Sequence, residues 1–213
     1  MNPTIHLKQI IRDAVSRENF DTAGARICMS PLGRIPKRPS DMQGGQRCGS
    51  VMIILFAVNT RLHVILTHRR EDLRLHPGQI SFPGGRREPD EDALTCALRE
   101  THEEIGIRAE TLEIIGKLDP AYILASDFLI SPFIAWHSGI PICTPAPHEV
   151  ADILAVPIAR LNAPDARTFK NKKIRGTMKN VPGFLFSEHH IWGATAMLLQ
   201  ELIERIKAAG WQE

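Results

Sequence analysis

The stretch that decides the fold runs from Gly84 to Ile107 and reads GGRREPDEDALTCALRETHEEIGI. A glycine pair opens it, an acidic turn follows, and the rest has helical spacing as far as Gly106. At about 100° per residue, one side of this predicted helix carries an apolar stripe. The stripe consists of Leu94, Leu98, Thr101 and Ile105. The pattern predicts a helix that packs on a core and follows a tight glycine turn.

Three glutamates, Glu100, Glu103 and Glu104, lie on a different side of this helix. Side chains at these spacings are about 5–6 Å apart between Cβ atoms, and their mutual repulsion costs stability unless a cation lies between them. Hard carboxylate oxygens suit Mg²⁺ or Mn²⁺ better than zinc. Three glutamates alone are more typical of a solvated acidic face, so the surrounding sequence must decide between the two interpretations.

The surrounding residues match a known pattern at each of its fixed positions. Those positions are filled by Gly85, Glu91, Arg99, Glu100, Glu103, Glu104 and Gly106. The chain therefore resembles the Nudix hydrolases, a family that cleaves diphosphates linked to another group by means of a divalent metal and water. Only Thr101 is less apolar than the residue usual at its position.

Four residues of this box are predicted to have structural roles. Gly84 and Gly85 lack a Cβ atom, so the backbone can turn sharply and come close to a metal or a phosphate. Glu91 and Arg99 are eight residues apart, about two helical turns, so both can lie on one side of the helix. The resemblance implies that they form a salt bridge that braces the loop against the helix.

The remaining acids are the predicted catalytic residues. We predict Glu100 and Glu104 as direct ligands of Mg²⁺ or Mn²⁺, with Glu103 completing the metal site. Such an ion would neutralise the diphosphate and lower the pKa of a bound water. The general base stays open between Glu103 and Glu149, because a distant glutamate serves in some Nudix enzymes. The competing interpretation of Glu149 is a surface charge at the end of a strand.

A second signature precedes the box. Residues 65–70 read ILTHRR and residues 73–85 read LRLHPGQISFPGG. They resemble the extra motif of the coenzyme A pyrophosphatase branch of the family, with Arg70 where that branch usually has serine. Residues 191–196, IWGATA, resemble the closing helix of the same branch. The candidate substrate-binding residues are Arg69, Arg70, Arg74, His76 and Gln79.

The resemblance implies metal-dependent hydrolysis of the diphosphate bond of coenzyme A, or of its derivatives, to adenosine 3′,5′-bisphosphate and 4′-phosphopantetheine. Arginine forks suit the phosphates of such a ligand. Two alternatives stay open. One is a Nudix diphosphatase that acts on ADP-ribose, dinucleotides or damaged nucleoside triphosphates. The other is a non-catalytic nucleotide-sensing module, against which the intact box glutamates argue.

The composition predicts a soluble cytoplasmic protein, and the resemblance implies a small-molecule substrate. The net charge of +2 gives no support to a nucleic-acid or membrane partner, whereas a homodimer is compatible with the sequence. The longest apolar run, residues 51–58, is far shorter than the roughly 20 residues that cross a bilayer. Four separated cysteines without a C-x-x-C pair predict free thiols in a reducing compartment.

The chain is predicted to divide into an N-terminal helix with an irregular linker, residues 1–48, and a Nudix hydrolase domain, residues 49–209. Periodicity predicts helices at 4–17 and 190–209 besides that of the box, a helical turn at 157–161, and an irregular segment at 28–49. Strands are predicted at 51–58, 62–67, 79–82, 112–118, 128–136, 149–156, 169–175 and 184–187. This order predicts an α/β fold with a mixed sheet between helices. The resemblance implies an α/β/α sandwich.

Overall fold

The computed structural model describes residues 3–31, 47–124, 126–174 and 176–212, so most of the predicted irregular segment at 28–49 lies outside the described residues. The helices are α1 (Pro3–Ser16), α2 (Thr22–Ile27), α3 (Ala93–Ile105), α4 (Ile158–Asn162) and α5 (Gly193–Ala208). The strands are β1 (Arg47–Val58), β2 (Arg61–Arg69), β3 (Ile80–Ser81), β4 (Gly84–Arg86), β5 (Leu112–Lys117), β6 (Ala121–Ile123), β7 (Phe128–His137), β8 (Val150–Pro157), β9 (Arg167–Ile174), β10 (Thr177–Phe186) and β11 (His189–Trp192).

Two sheets form. The larger has the order β3-β2-β1-β7-β5, with β4 paired to β1, β6 to β7 and β8 to β2. Its β1–β7 pairing is parallel and its other pairings are antiparallel, so the sheet is mixed as predicted. The smaller sheet has the order β11-β10-β9.

Alternation along β1 explains the layers. Ile53 and Leu55 point to the face on which α1 and α5 pack, whereas Met52, Ile54 and Phe56 point to the face covered by α3. All five side chains are fully buried. A strand that is apolar on both faces requires cover on both sides. The predicted α/β/α sandwich is therefore confirmed.

The first hairpin forms where it was predicted. Asn59 and Thr60 have φ values of 47° and 69° and join β1 to β2. Positive φ at both central residues is the conformation of the type I′ turn, which matches the twist of a hairpin. The start of β1 differs from the prediction: the strand begins at Arg47 because its first residues pair with β4 and β7.

The N-terminal helices pack on the main core. Helix α1 begins at Pro3, so Thr4, a residue type that suits an N-cap, lies inside the helix instead. Four of its residues are buried in the same hydrophobic cluster as α5: Leu7, Ile10, Ile11 and Ala14. Helix α2 was not predicted, because its six residues are too few for a periodic signal. The division into residues 1–48 and 49–209 stays a prediction.

The helix predicted at 190–209 is wrong at its start. His189 to Trp192 form β11, which pairs with β10 in the smaller sheet, and α5 begins only at Gly193. Gly193 has a φ of 67°, which separates the strand from the helix. Ile191 suits an apolar helical stripe as well as a strand interior, so periodicity alone could not separate the two.

Within the described residues, Cys28, Cys48, Cys96 and Cys143 form no disulfide. In residues 3–31, 47–124, 126–174 and 176–212, no helix combines the length and the apolar character needed to cross a bilayer.

His190 gives the fold a predictable dependence on pH. The residue is only 7% exposed, and burial, followed by the charges of Lys172 and Lys170, lowers the pKa of its imidazole to about 4, although the Thr168 backbone opposes the shift. Because the unfolded chain binds the proton near pH 6.5, the folded state is disfavoured as the pH falls from 6.5 towards 4. The full effect has an upper bound of about 3 kcal/mol.

We therefore expect the free energy of unfolding of His190→Gln to fall less between pH 6.5 and 4 than that of the wild type. Urea unfolding at several pH values measures this difference, and titrations shared by the two proteins cancel. His63→Gln, which changes a histidine on a different strand, serves as the control. Parallel stability–pH curves for His190→Gln and the wild type would show that His190 does not titrate as described.

Candidate active site

Helix α3 is fixed at both ends, which positions its acidic residues. The Asp92 carboxylate caps the helix by accepting hydrogen bonds from Leu94 N at 2.9 Å and Thr95 N at 3.1 Å. At the other end, Gly106 adopts the left-handed conformation, with a φ of 73°, and its N–H donates to His102 O. The predicted helix and its end at Gly106 are confirmed.

The three box glutamates differ in their environment. The side chains of Glu100, Glu103 and Glu104 are 16%, 55% and 3% exposed. They therefore do not share one solvated face: Glu104 points inward, Glu103 outward and Glu100 lies between them. Thr101 completes the apolar stripe, since it is fully buried and its hydroxyl donates to Ala97 O at 2.7 Å.

The glycine pair lies directly against two of these carboxylates. Gly84 N donates to Glu104 Oε2 at 3.2 Å. A Cβ atom at Gly85 would lie 2.4 Å from the Glu100 carboxylate. Pairing of β4 with β1 fixes this turn, since Gly84 is opposite Val51. The backbone of the turn thus forms one wall of the acidic site.

Alanine substitutions at the two glycines are expected to differ in effect. Gly84 has a φ of 149°, and a Cβ there would meet Ser50 O at 2.3 Å and Val51 Cα at 2.6 Å, so Gly84→Ala should destabilise the fold by several kcal/mol. Gly85→Ala would displace only the mobile end of Glu100. It should keep the fold within about 1 kcal/mol and weaken Mn²⁺ binding.

Thermal unfolding and Mn²⁺ titration of both variants measure this contrast. The outcome that contradicts the geometry is a Gly85→Ala protein with the stability and the Mn²⁺ affinity of the wild type.

Arg99 joins the loop before α3 to the acids on it. Its Nε donates to Glu91 Oε1 at 2.9 Å, and its Nη1 donates to Glu100 and to Glu103, each at 3.0 Å. The hydrogen bonds that Arg99 donates to Glu91 lower the pKa of Glu91 to about 2, and the same bonds raise the pKa of Arg99. The structure contains the Glu91–Arg99 ion pair that the resemblance implies.

Arg69, from the second signature, contacts the opposite side of the acidic site. Its guanidinium lies 3.5 Å from Glu104 Oε1 and 2.8 Å from Glu149 Oε1. The register of β2 and β8 shifts at this point, so that Arg69 is opposite Val150 rather than Ala151. An irregularity of this kind re-aims side chains locally. Glu149, just before β8, thereby reaches the box glutamates through Arg69.

Burial dominates the electrostatics of Glu104. Burial is the largest cause and the negative charges of Glu149 and Glu100 act in the same direction, so that the pKa of the carboxyl is raised to about 8. The Gly84 N–H and the positive charge of Arg69 oppose the shift. The positive charge and the hydrogen bond next to Glu104 therefore do not fully offset the cost of burying its ionised form.

Glu100 is affected in the same way. Burial raises the pKa of Glu100, with the charges of Glu103 and Glu149 acting in the same direction and Arg99 acting against them. Three carboxylates of α3 and that of Glu149, just before β8, therefore form one connected electrostatic group. Added positive charge would relieve their repulsion.

The donor atoms of this group fit a hard divalent cation, because they are carboxylate oxygens beside a glycine turn that carries no side chains. Across the part of the chain that the structure describes, no three or more His, Cys, Asp or Glu side chains are arranged as a ready-made metal cage. Arginines hold the carboxylates instead: Arg99 contacts Glu100 and Glu103, while Arg69 contacts Glu104. A metal at this site requires these side chains to rearrange.

The other predicted substrate-binding residues lie in the loop between β2 and β3. His76 Nδ1 and Gln79 Oε1 are 3.1 Å apart, and Arg74 of the same loop is exposed. Arg70 forms a two-pronged ion pair with Asp72 and donates to Pro147 O at 2.8 Å. Arg70 therefore ties this loop to the segment that carries Glu149.

An open cleft of about 490 Å³ lies beside the contacts of Arg70 with Asp72 and Pro147. A cleft of that size falls in the range of small-ligand sites. It is lined by Arg70, Asp72, Leu73, Pro147 and His148. Sequence reasoning missed Asp72, Pro147 and His148 as cleft residues. Only the position of His148 next to Glu149 could have indicated one of them.

The sandwich and its acidic helix define a class of protein, and the comparisons with known proteins agree. The NUDIX domain family model matches residues 46–175. The chain belongs to the Nudix hydrolase family. Members of this family generally need divalent metal ions and act on small-molecule diphosphate substrates.

Curated relatives carry the same family name. The chain is 31% identical to Nudix hydrolase 3 of Caenorhabditis elegans over 189 residues, which cover 81% of this chain and 78% of the relative. It is also 31% identical to the peroxisomal coenzyme A diphosphatase NUDT7 of Mus musculus over 147 residues, which cover 68% of this chain and 60% of the relative.

A solved structure supports the fold alone. The Nudix hydrolase RenU of M. smegmatis superposes with a TM-score of 0.56 at 16% identity, over 80% of this chain and 92% of that one.

Proposed function

We propose that this protein is a divalent-metal-dependent coenzyme A diphosphatase, which hydrolyses the diphosphate bond of coenzyme A or its derivatives. The observation that carries the proposal is the contact between its two signatures: Arg69 of the coenzyme A-type motif is ion-paired with Glu104 of the box. The motif that would select the substrate therefore lies beside the acids that would cleave it. The similarity to a coenzyme A diphosphatase of Mus musculus supports the same substrate.

The proposed metal ligands are Glu100, Glu103 and Glu104, and the proposed ion is Mg²⁺ or Mn²⁺. When bound, such an ion neutralises diphosphate oxygens and makes water a better nucleophile. Glu104 is held for this role by the Gly84 N–H, and Glu100 by the close approach of Gly85. Glu103 would move from Arg99 to complete the set.

We propose Glu149 as the group that accepts the proton of the attacking water. Its charge raises the pKa of both Glu100 and Glu104, so it lies near the reacting centre, and its side chain is 34% exposed and open to water. Glu103, the other candidate base, is more exposed, with 55% of its side chain open to solvent. These surroundings favour Glu149 over Glu103.

Arginines of the loop before β3 would hold the phosphates. Arg69 reaches the acidic centre and suits the diphosphate, whereas the exposed Arg74 suits the 3′-phosphate that distinguishes coenzyme A from most other family substrates. Arg70 would line the cleft at their side. His76 and Gln79 hold the loop in shape through their mutual contact.

A pair of substitutions separates the two candidate bases. We expect Glu149→Gln to lower kcat by about 10²–10⁴-fold, the usual contribution of general base catalysis, without weakening Mn²⁺ binding. Glu103→Gln should reduce Mn²⁺ affinity with a smaller effect on kcat at saturating metal. Turnover and Mn²⁺ titration are measured on both proteins. The reverse pattern would assign the base to Glu103.

Product analysis tests the substrate. The purified protein is incubated with coenzyme A and Mg²⁺, and mass spectrometry is expected to detect adenosine 3′,5′-bisphosphate and 4′-phosphopantetheine. Dephospho-coenzyme A, ADP-ribose and NADH are compared at equal concentration, and the first of them isolates the contribution of the 3′-phosphate. A preference for ADP-ribose would overturn the coenzyme A assignment while leaving the hydrolase family intact.

A further inference from the structure

Two arginines neutralise the acids of the proposed metal site, and they are held very differently. Arg99 contacts three carboxylates at 2.9–3.0 Å and also donates to Arg86 O at 3.2 Å. Arg69 contacts Glu149 closely, at 2.8 Å, but lies 3.5 Å from Glu104. A charge-assisted hydrogen bond measures about 2.7–2.9 Å, so the Arg69–Glu104 contact is the loose one.

The surroundings of Arg69 leave part of its donor capacity unused. Its side chain is only 18% exposed, and its Nε is buried without a hydrogen-bond partner among the described residues. A guanidinium can make several donor contacts in a fixed fork, and phosphate oxygens match that fork. Arg69 is therefore placed with a weak contact to Glu104 and spare donors.

We infer that Arg69 acts as a built-in counter-cation, which occupies Glu104 until a divalent ion displaces it and which then binds the substrate's diphosphate. This inference rests on the proposed function. An ion at Glu104 and a guanidinium 3.5 Å from the same carboxylate would repel each other strongly at this depth. Because Glu149 still holds Arg69, the displaced guanidinium stays at the site and remains available to phosphate.

The consequence is a coupling between metal and substrate. Metal binding releases Arg69 for the diphosphate, and the diphosphate, by engaging Arg69, removes a competitor of the metal. Such couplings are reciprocal and usually amount to about 5- to 150-fold in affinity. Arg69 is thus a positioning residue for the metal as well as a substrate contact.

Mn²⁺ titration in the absence of any substrate tests the first half of this inference. Arg69→Gln is expected to bind Mn²⁺ about tenfold more tightly than the wild type, within that usual range of coupling. Arg69→Lys keeps the charge and should stay close to the wild type. Arg160→Gln, which removes a partly exposed arginine paired with Asp165, is the control for net charge and should also match the wild type.

Thermal unfolding supplies a second readout. Without metal, Arg69→Gln should be less stable than the wild type, because Glu104 loses its counter-ion, and Mn²⁺ should raise its Tm by more than that of the wild type. At saturating Mg²⁺, the affinity for α,β-methylene ADP should fall about tenfold in Arg69→Gln, as expected when a charged phosphate contact is lost.

The outcomes separate this inference from the proposed function. If the wild type binds Mn²⁺ and Arg69→Gln binds it equally or more weakly, the counter-cation role is wrong and the metal site stands. The role is also wrong if Arg69→Lys binds as tightly as Arg69→Gln. If the wild type binds no Mn²⁺, both the inference and the proposed metal site fail.

Discussion

Replacement of Glu104 by glutamine is expected to reduce turnover of coenzyme A by about 10²–10³-fold at saturating Mg²⁺, comparable to the loss of one main transition-state contact. Glutamine can still accept the hydrogen bond from Gly84 N, so the turn that faces Glu104 is kept. It cannot supply the anionic oxygen that a divalent ion requires. Stability should not fall, because burial disfavours the charge that the substitution removes.

Turnover and the free energy of unfolding are measured together for Glu104→Gln and for Glu110→Gln, an exposed glutamate beyond the end of α3. The control should behave like the wild type in both measurements. A Glu104→Gln protein that keeps more than a tenth of the wild-type turnover would show that Glu104 is not a metal ligand. If turnover and stability fell together, the role of Glu104 would be structural. In that case the Mn²⁺ affinity of the protein that remains folded should equal that of the wild type.

The largest expected effect on stability lies far from the acids of α3. Glu201 of α5 is fully buried and accepts hydrogen bonds from Arg26 Nε at 2.6 Å and Arg205 Nε at 2.8 Å. Arg205 also reaches Ala14 O, so this network fastens both N-terminal helices to α5. Removing the anion leaves two buried guanidinium groups without it. We expect Glu201→Gln to cost about 3–5 kcal/mol.

At the usual ratio for a chain of this length, that cost corresponds to a Tm lower by roughly 6–20 °C. Glu204→Gln is the matched control, since Glu204 lies on the same helix with a more exposed side chain and should change stability by less than about 0.5 kcal/mol. Limited proteolysis of Glu201→Gln should release the N-terminal helices first. Equal Tm values for the two variants would contradict the account of the network.

Local patterns in the sequence were sufficient to predict the layers and the acidic helix. The apolar stripe through Ile105 and the acids at Glu100 and Glu104 follow from the helical period. Strand β1 is apolar on both faces, which requires helices on both sides of the sheet. The same reasoning failed at Ile191, which fits both periods. It also gave no sign of β4, whose three residues depend on pairing with a distant strand.

The arrangement of the site depends on long-range register, which no local pattern specifies. Arg69 and Glu149 are eighty residues apart and meet because β2 and β8 pair with one irregularity. A shift of one residue would turn their side chains to opposite faces. The different burial of Glu103 and Glu104 likewise depends on how closely the glycine turn approaches α3, which is a tertiary contact. The acidic residues and the Glu91–Arg99 pair could be predicted before the structure was known, whereas the ion pairs of Arg69 with Glu104 and Glu149 could not.

The central claim is that Glu100, Glu103 and Glu104 hold a divalent ion against a diphosphate. Anomalous diffraction from crystals soaked in Mn²⁺ tests it most directly. We expect a peak at coordination distance, about 2.0–2.6 Å, from carboxylate oxygens of Glu100 and Glu104, with Arg69 withdrawn from Glu104. The absence of a peak at these glutamates, with both arginines still bridging them, would contradict the account.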